Sequence, residues 1–164
     1  MLTFIGIDPG QTGAWASIAE DGFAYGEALP CTNREIDGVE MTRRIKDFCE
    51  LQDYKVALVM IEDVRTFGHE TPKSMFNFGY NTGIISAAIR AEKWPLDKVA
   101  PKTWKQKIIP HVRGLPRKDQ KQGACKWVAN RHPEVELYPG RKRVAHDGIA
   151  EAVCLALYGK ALTY

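Results

Sequence analysis

The chain has 164 residues, of which 45% are hydrophobic and 26% charged, with 14 Gly and 9 Pro; these proportions support a real core, exclude a disordered or fibrous chain, and predict a single domain over residues 1–164. No apolar run approaches ~18 residues, and the N-terminus lacks the basic start and small-residue cleavage site of an export signal, so a soluble cytoplasmic protein with no membrane partner is expected. The net charge of +3 conceals an asymmetry: residues 98–143 carry 13 Lys/Arg against three acids, a local +10, which leaves −7 for the remainder.

Leu2 to Ile7 is apolar and β-branched, Asp8-Pro9-Gly10 breaks it, and Gly13 to Ala19 resumes an extended pattern. Asp21-Gly22 is a strong hairpin dipeptide leading into Phe23 to Gly26, so the chain opens as a three-stranded antiparallel meander. Helical spacing of Ile36, Val39, Ile45, Phe48, Cys49 and Leu51 predicts an amphipathic helix over 34–52. Val56 to Ile61 is continuously apolar and short, as a central strand buried on both faces would be, and it ends at Glu62-Asp63.

A polar loop from Arg65 to Thr71 precedes a long helix from Pro72 to about Lys93. Within that helix Gly79, Gly83 and Ala87 fall on one stripe; interior glycine costs ~1 kcal/mol relative to alanine, which points to another backbone close by, either the sheet beneath or a second subunit. Pro95 to Val99 reads as a strand, Pro101-Lys102-Thr103-Trp104-Lys105 opens a helix, and a further helix spans Lys118 to Asn130. Residues 133–144 read as loop, and a last helix runs from Asp147 to Leu157. Together these elements predict an α/β sheet covered by helices.

Asp8 and Glu62 close apolar strands, where a carboxylate is costly without a partner, and Asp147 and Glu151 share one helix face four residues apart. Four acids at one sheet edge would repel one another unless a cation sat among them. Hard oxygen donors without His or Cys clusters suit Mg²⁺ or Mn²⁺, and two such ions would activate a water and stabilise the leaving oxygen in phosphodiester cleavage. Beside them the basic segment, interleaved with Trp104, His111, Trp127 and Tyr138, has the character of a polyanion-binding surface. Trp104 and Trp127 at helical positions read as core. The four cysteines, Cys31, Cys49, Cys125 and Cys154, form no Cys-x-x-Cys pair and read as packing residues in a reducing compartment.

Gly6-Ile7-Asp8-Pro9-Gly10-Gln11-Thr12-Gly13-Ala14, Met60-Ile61-Glu62-Asp63-Val64 and His146-Asp147-Gly148-Ile149-Ala150-Glu151-Ala152 resemble, in order and spacing, the RuvC family of Holliday-junction resolvases, especially its phage and prophage members. The resemblance spans nearly the whole chain. It implies a ribonuclease H-like fold with a mixed five-stranded sheet, its first three strands antiparallel. It also implies a homodimer joined along the long central helix, branched DNA as substrate, and a bacterial or phage-infected host cytoplasm.

By the same resemblance Asp8, Glu62, Asp147 and Glu151 are the metal-binding catalytic tetrad for two Mg²⁺ or Mn²⁺ ions, and Lys118 or Lys121 is the basic residue at the scissile phosphate. The family usually ends its tetrad with Asp where this chain has Glu151. Some members place a His among the ligands, so His146 has two readings, ligand or supporting loop residue. Candidate DNA contacts are Phe67, a wedge into the junction, with Lys102, Lys105, Arg117, Lys118, Lys121, Arg141, Lys142 and Arg143. The implied activity is a metal-dependent, structure-selective endonuclease. The alternatives are a nuclease on RNA/DNA hybrids, a junction binder with a vestigial site, and, because Asp8 to Gly13 also fits their phosphate loop, an ATP-binding protein of the actin and sugar-kinase type.

Overall fold

The computed structural model describes residues 1–10, 12–33, 35–63 and 71–164, the side chain of Arg141 apart. Three strands open the chain, β1 (Leu2–Asp8), β2 (Ala14–Ala19) and β3 (Ala24–Ala28), followed by a two-residue hairpin, β4 (Cys31–Thr32) and β5 (Glu35–Ile36). Then come α1 (Gly38–Gln52), β6 (Lys55–Glu62), α2 (Pro72–Ala91), β7 (Leu96–Val99), α3 (Pro101–Ile108), α4 (Arg117–Arg131) and α5 (Asp147–Thr163). The main sheet is mixed and five-stranded in the order β3-β2-β1-β6-β7, with β1 antiparallel to β2, β2 to β3, and β6 parallel to both of its neighbours.

Alternation along β1 divides the core in two, because successive side chains of a strand point to opposite faces. Ile5 and Ile7 pack with Trp15, Met41, Ile45, Ile85 and Ile89 under α1 and α2. On the opposite face Ala14, Ala16, Ile18 and Met60 meet α5, which α3 and α4 cover in turn with Trp104, Ala124 and Val128. Gly6 makes the second face possible: a Cβ there would lie 2.0 Å from the Ala152 carbonyl oxygen and 2.4 Å from the Ala156 nitrogen. The β1 and α5 backbones therefore touch.

Several boundaries move for identifiable reasons. The helix expected from residue 34 starts at Gly38, because Asp37 caps it by accepting from the Glu40 N–H at 2.9 Å, while Glu35 and Ile36 pair with Cys31 and Thr32. The last helix runs six residues beyond the expected Leu157, to Thr163. Residues 148–156 are buried all round, so no amphipathic stripe marks its course. Gly79 and Gly83 lie on the exposed side of α2 with nothing within 4 Å of where a Cβ would stand, which removes the sheet beneath as the reason for them. Cys49 and Cys154 are buried and Cys125 is partly so, but Cys31 is exposed on the small hairpin and is no packing residue. Among the described residues no helix is long and apolar enough to cross a membrane.

Candidate active site

Parallel pairing of β1 with β6 aligns Ile7 with Ile61, so Asp8 and Glu62, one residue further on, end adjacent strands side by side. Beyond Asp8 the chain reverses tightly: the Gly10 N–H donates to Asp8 Oδ1 at 3.1 Å, and the Gly13 N–H donates to the Gly10 carbonyl at 2.8 Å. The first turn of α5 lies against this reversal. A Cβ on Gly148 would stand 2.5 Å from the Thr12 carbonyl oxygen and 3.2 Å from Asp8 Oδ2, so glycine there lets Asp147 and Glu151 approach the strand ends.

Each acid has a distinct partner. Glu62, 8% exposed, accepts from the Trp104 indole N–H at 2.9 Å. Glu151, 6% exposed, is ion-paired with Lys105 at 3.2 Å. Asp147 is bonded to Lys121. Asp8 has the Gly10 N–H and the more distant charge of Lys121, against burial and the negative charges of Glu151 and Glu62; its carboxyl is pushed up to about 8. Burial and then Glu151 raise Glu62 as well, against the Trp104 hydrogen bond and the charges of Lys105 and Arg117. Burial would also raise Asp147, but the hydrogen bond and charge of Lys121 bring it below the usual carboxylate range. His146 caps α5, its Nδ1 accepting from the Ile149 N–H at 3.2 Å, and burial with the charge of Lys142 holds its pKa down.

Among the described residues no three Asp, Glu, His or Cys side chains close into a ready metal cage. The donor chemistry nonetheless fits a hard divalent cation: the site offers carboxylate oxygens, and the least compensated of them, Asp8, is the one pressed between two other acids. A cation added there would offset both the burial and the neighbouring negative charge that raise Asp8 and Glu62.

The structure brings the basic residues to this edge unequally. Lys121 and Lys105 reach the acids, Lys105 while lying 5.2 Å above the Trp104 ring, and the charge of Arg117 is felt at Glu62. Lys118, beside Arg117 at the start of α4, is exposed and forms no ion pair with the four acids. Lys102, Lys142 and Arg143 are exposed on the surface, and Phe67 and the Arg141 side chain lie outside the described residues. Trp127 is half-buried, its ring 4.8 Å from the Arg131 guanidinium. The functional contact that the sequence does not show is the Trp104 N–H. A tryptophan at helical spacing signals core, and Trp104 is indeed fully buried, but its polar edge meets an acid 42 residues away.

No family model matches the chain, and no curated protein does. Solved structures do. RuvC of Thermus thermophilus in complex with a Holliday junction substrate superposes with a TM-score of 0.59 at 18% identity, over 98% of this chain and 96% of that one. A second structure of Thermus thermophilus RuvC gives 0.58 at 20% identity, over 98% and 97%. The chain has the RuvC type of ribonuclease H-like fold. The yeast mitochondrial Holliday junction resolvase Ydc2 follows at 0.52 and 15% identity, over 93% of this chain and 75% of that one.

Proposed function

We propose that this chain is a metal-dependent endonuclease that cuts four-way or otherwise branched DNA, a single nuclease domain of the phage or prophage RuvC kind acting in a bacterial or phage-infected cytoplasm. The observation that carries the reading is the set of strand-end acids. Asp8 and Glu62 end adjacent parallel strands, the buried Glu151 acts electrostatically on both, and Lys121, bonded to Asp147, also acts on Asp8. Both similar Thermus structures are of RuvC, one of them in complex with a Holliday junction substrate, and the third similar structure is of a Holliday junction resolvase.

In this reading Asp8, Glu62, Asp147 and Glu151 hold two Mg²⁺ or Mn²⁺ ions. Such ions, when bound, supply an activated water and charge stabilisation at the leaving oxygen. The chain's own residues set the stage. Trp104 fixes one oxygen of Glu62 and leaves the other to a ligand, Lys105 and Lys121 balance Glu151 and Asp147 in the resting site, and Lys121 or Lys118 meets the scissile phosphate. Lys102, Arg117, Lys142 and Arg143, with Arg141 and Phe67, extend the contact along the DNA arms. A four-way junction offers two symmetry-related strands, so two identical sites in a homodimer suit it. The open stripe of Gly79, Gly83 and Ala87 on α2 is the proposed contact.

The test is cleavage of end-labelled four-way junction, linear duplex and RNA/DNA hybrid in Mg²⁺. Paired nicks in the junction at a rate at least about tenfold above the other two substrates are expected. Preference for the hybrid would move the substrate to RNA, and no cleavage of any would contradict the nuclease reading.

A further inference from the structure

Toward the end of α5 that points away from Asp147, a groove of about 660 Å³ opens between that helix, the end of α3 and the second half of α4. Leu157, Lys160, Ala161 and Tyr164 line it at i, i+3, i+4 and i+7, one face of α5, and Leu157 lies roughly 15 Å along the axis from Asp147. With them Ile108, Pro110 and Trp127 give the groove an apolar floor. Its rim is basic. Lys107, His111, Arg131 and Lys160 line it without a carboxylate among them, and neither Lys107 nor Arg131 is ion-paired with any described residue. Lys160 is fixed in place, its ammonium donating to the carbonyls of Ala19 and Glu20 at 2.9 Å each. The Glu20 carboxylate, which feels that charge, is already taken by the Leu2 N–H and the Tyr164 hydroxyl.

We infer that this groove docks an acidic segment of a partner protein, one that carries a large apolar side chain among its carboxylates. Such docking goes beyond the nuclease reading and does not rest on it. Exposed cations attract any polyanion, so the floor decides the class of partner. A DNA backbone presents phosphates and no apolar group, and would leave Ile108, Leu157 and Ala161 uncovered. A splayed base needs an open aromatic face, whereas Trp127 is already engaged by the Arg131 guanidinium at 4.8 Å and the His132 ring at 6.4 Å. An acidic peptide uses both features of the groove: a leucine or phenylalanine covers the floor, and carboxylates meet Lys107 and Arg131, the guanidinium being able to hold one in bidentate fashion. Two of the 13 basic residues in 98–143 thereby belong to a protein-binding surface and not to the DNA face.

The experiment measures fluorescence anisotropy of a labelled peptide, Asp-Asp-Leu-Asp-Asp-Phe, titrated with the whole protein at low salt. Saturable binding with a Kd on the order of 10–100 μM is expected, weakened by at least about fivefold on raising the salt from 50 to 300 mM. Replacing the Leu and Phe of the peptide by Ala should weaken binding by at least about tenfold, because the floor is then left uncovered. On the protein side, Ala161→Glu puts a like charge and extra bulk on the floor at an exposed helical position; it should weaken the peptide by at least about tenfold while junction cleavage stays within about twofold of wild type. Lys107→Glu, on the exposed rim, should weaken the peptide by about threefold or more without touching the floor. Absence of saturable binding below about 1 mM, or equal binding of the Ala-substituted peptide, would overturn the inference. Loss of junction affinity in Ala161→Glu and Lys107→Glu in step with loss of the peptide would give the groove to DNA and overturn it as well. None of these outcomes bears on whether the acids at the other end of α5 cut DNA, which the cleavage panel reads separately.

Discussion

The two faces of the central sheet are built on opposite principles. Toward α1 and α2 the strands present large side chains, Ile5, Ile7, Trp15 and Ile61, which hold the helices at ordinary packing distance. Toward α5, beside Ile18 and Met60, they present Gly6, Ala14, Ala16 and Gly26, and at Gly6 the helix comes down until backbone meets backbone. Only the second arrangement lets short side chains on a helix reach short side chains at strand ends. All four acids lie on that side, whereas the outer surface of α2 carries open glycines and exposed aromatic rings.

The contrast breaks most sharply at Gly6. Gly6→Val places atoms where the Ala152 and Ala156 backbones already are, and backbone cannot yield as a side-chain tip can. A loss of at least about 3 kcal/mol is expected in urea unfolding. Ile5→Val, one residue away on the other face, should cost about 1 kcal/mol and leave cleavage unchanged. Equal effects at the two positions would mean that α5 is not seated as described.

Next in size is the response to pH. Asp8 ionises near 4 in an unfolded chain but is pushed up to about 8 in the folded one by burial, Glu151 and Glu62. A raised acid favours folding while protonated, so its contribution is complete below about pH 4 and is lost as pH rises through about 8. In EDTA, the wild type should therefore lose at least about 3 °C of Tm relative to Asp8→Asn between pH 5 and 8, the effect of ~1 kcal/mol. Millimolar Mg²⁺ should restore it. A pH-independent difference would show that Asp8 does not carry the repulsion.

Trp104→Phe tests the α5 side itself, since it keeps an aromatic ring in the core while removing the indole N–H that donates to Glu62 together with the pyrrole part of the ring. Stability should fall by about 1–3 kcal/mol, cleavage should slow by roughly tenfold, and half-saturation should need more Mg²⁺, with junction binding in EDTA unchanged. Loss of stability alone would reduce the contact to core packing. On the α2 side Gly83→Leu adds a side chain to open space in a helix interior, so the monomer should keep its stability or gain up to about 1 kcal/mol. Light scattering should show a shift from dimer to monomer, and a supercoiled cruciform should receive single nicks in place of paired ones. A Gly83→Leu protein that remains a fully active dimer would put the interface elsewhere.

How much of this could be read in the sequence depended on whether the signal was local. Asp8 and Glu62 stand out because an apolar strand ends abruptly at a carboxylate, and Asp147 and Glu151 because four residues make one helical turn. The antiparallel pairing of the first three strands follows from the meander that opens the chain. What was hidden has no local trace. Residues 148–156 of α5 are buried all round and show no amphipathic period, and the start of α1 depends on one capping bond from Asp37. Lys105 reads as a DNA contact in a basic segment, whereas its ammonium pairs with Glu151, 46 residues on. Nor does a Gly-Gly-Ala stripe say which surface lies opposite. Gly6 is buried by α5 while Gly83 faces open space, and both are glycines at regular positions in their elements.

If Asp8 belongs to a metal-holding carboxylate cluster, Asp8→Asn separates cleavage from binding. Cleavage in Mg²⁺ and binding in EDTA should be measured for a four-way junction on one preparation of the variant, beside the wild type. Cleavage should fall by at least about 10³-fold while binding holds or tightens, since one negative charge facing a polyanion has been removed. Parallel loss of binding and cleavage, or cleavage within about threefold of wild type, would contradict that role for Asp8.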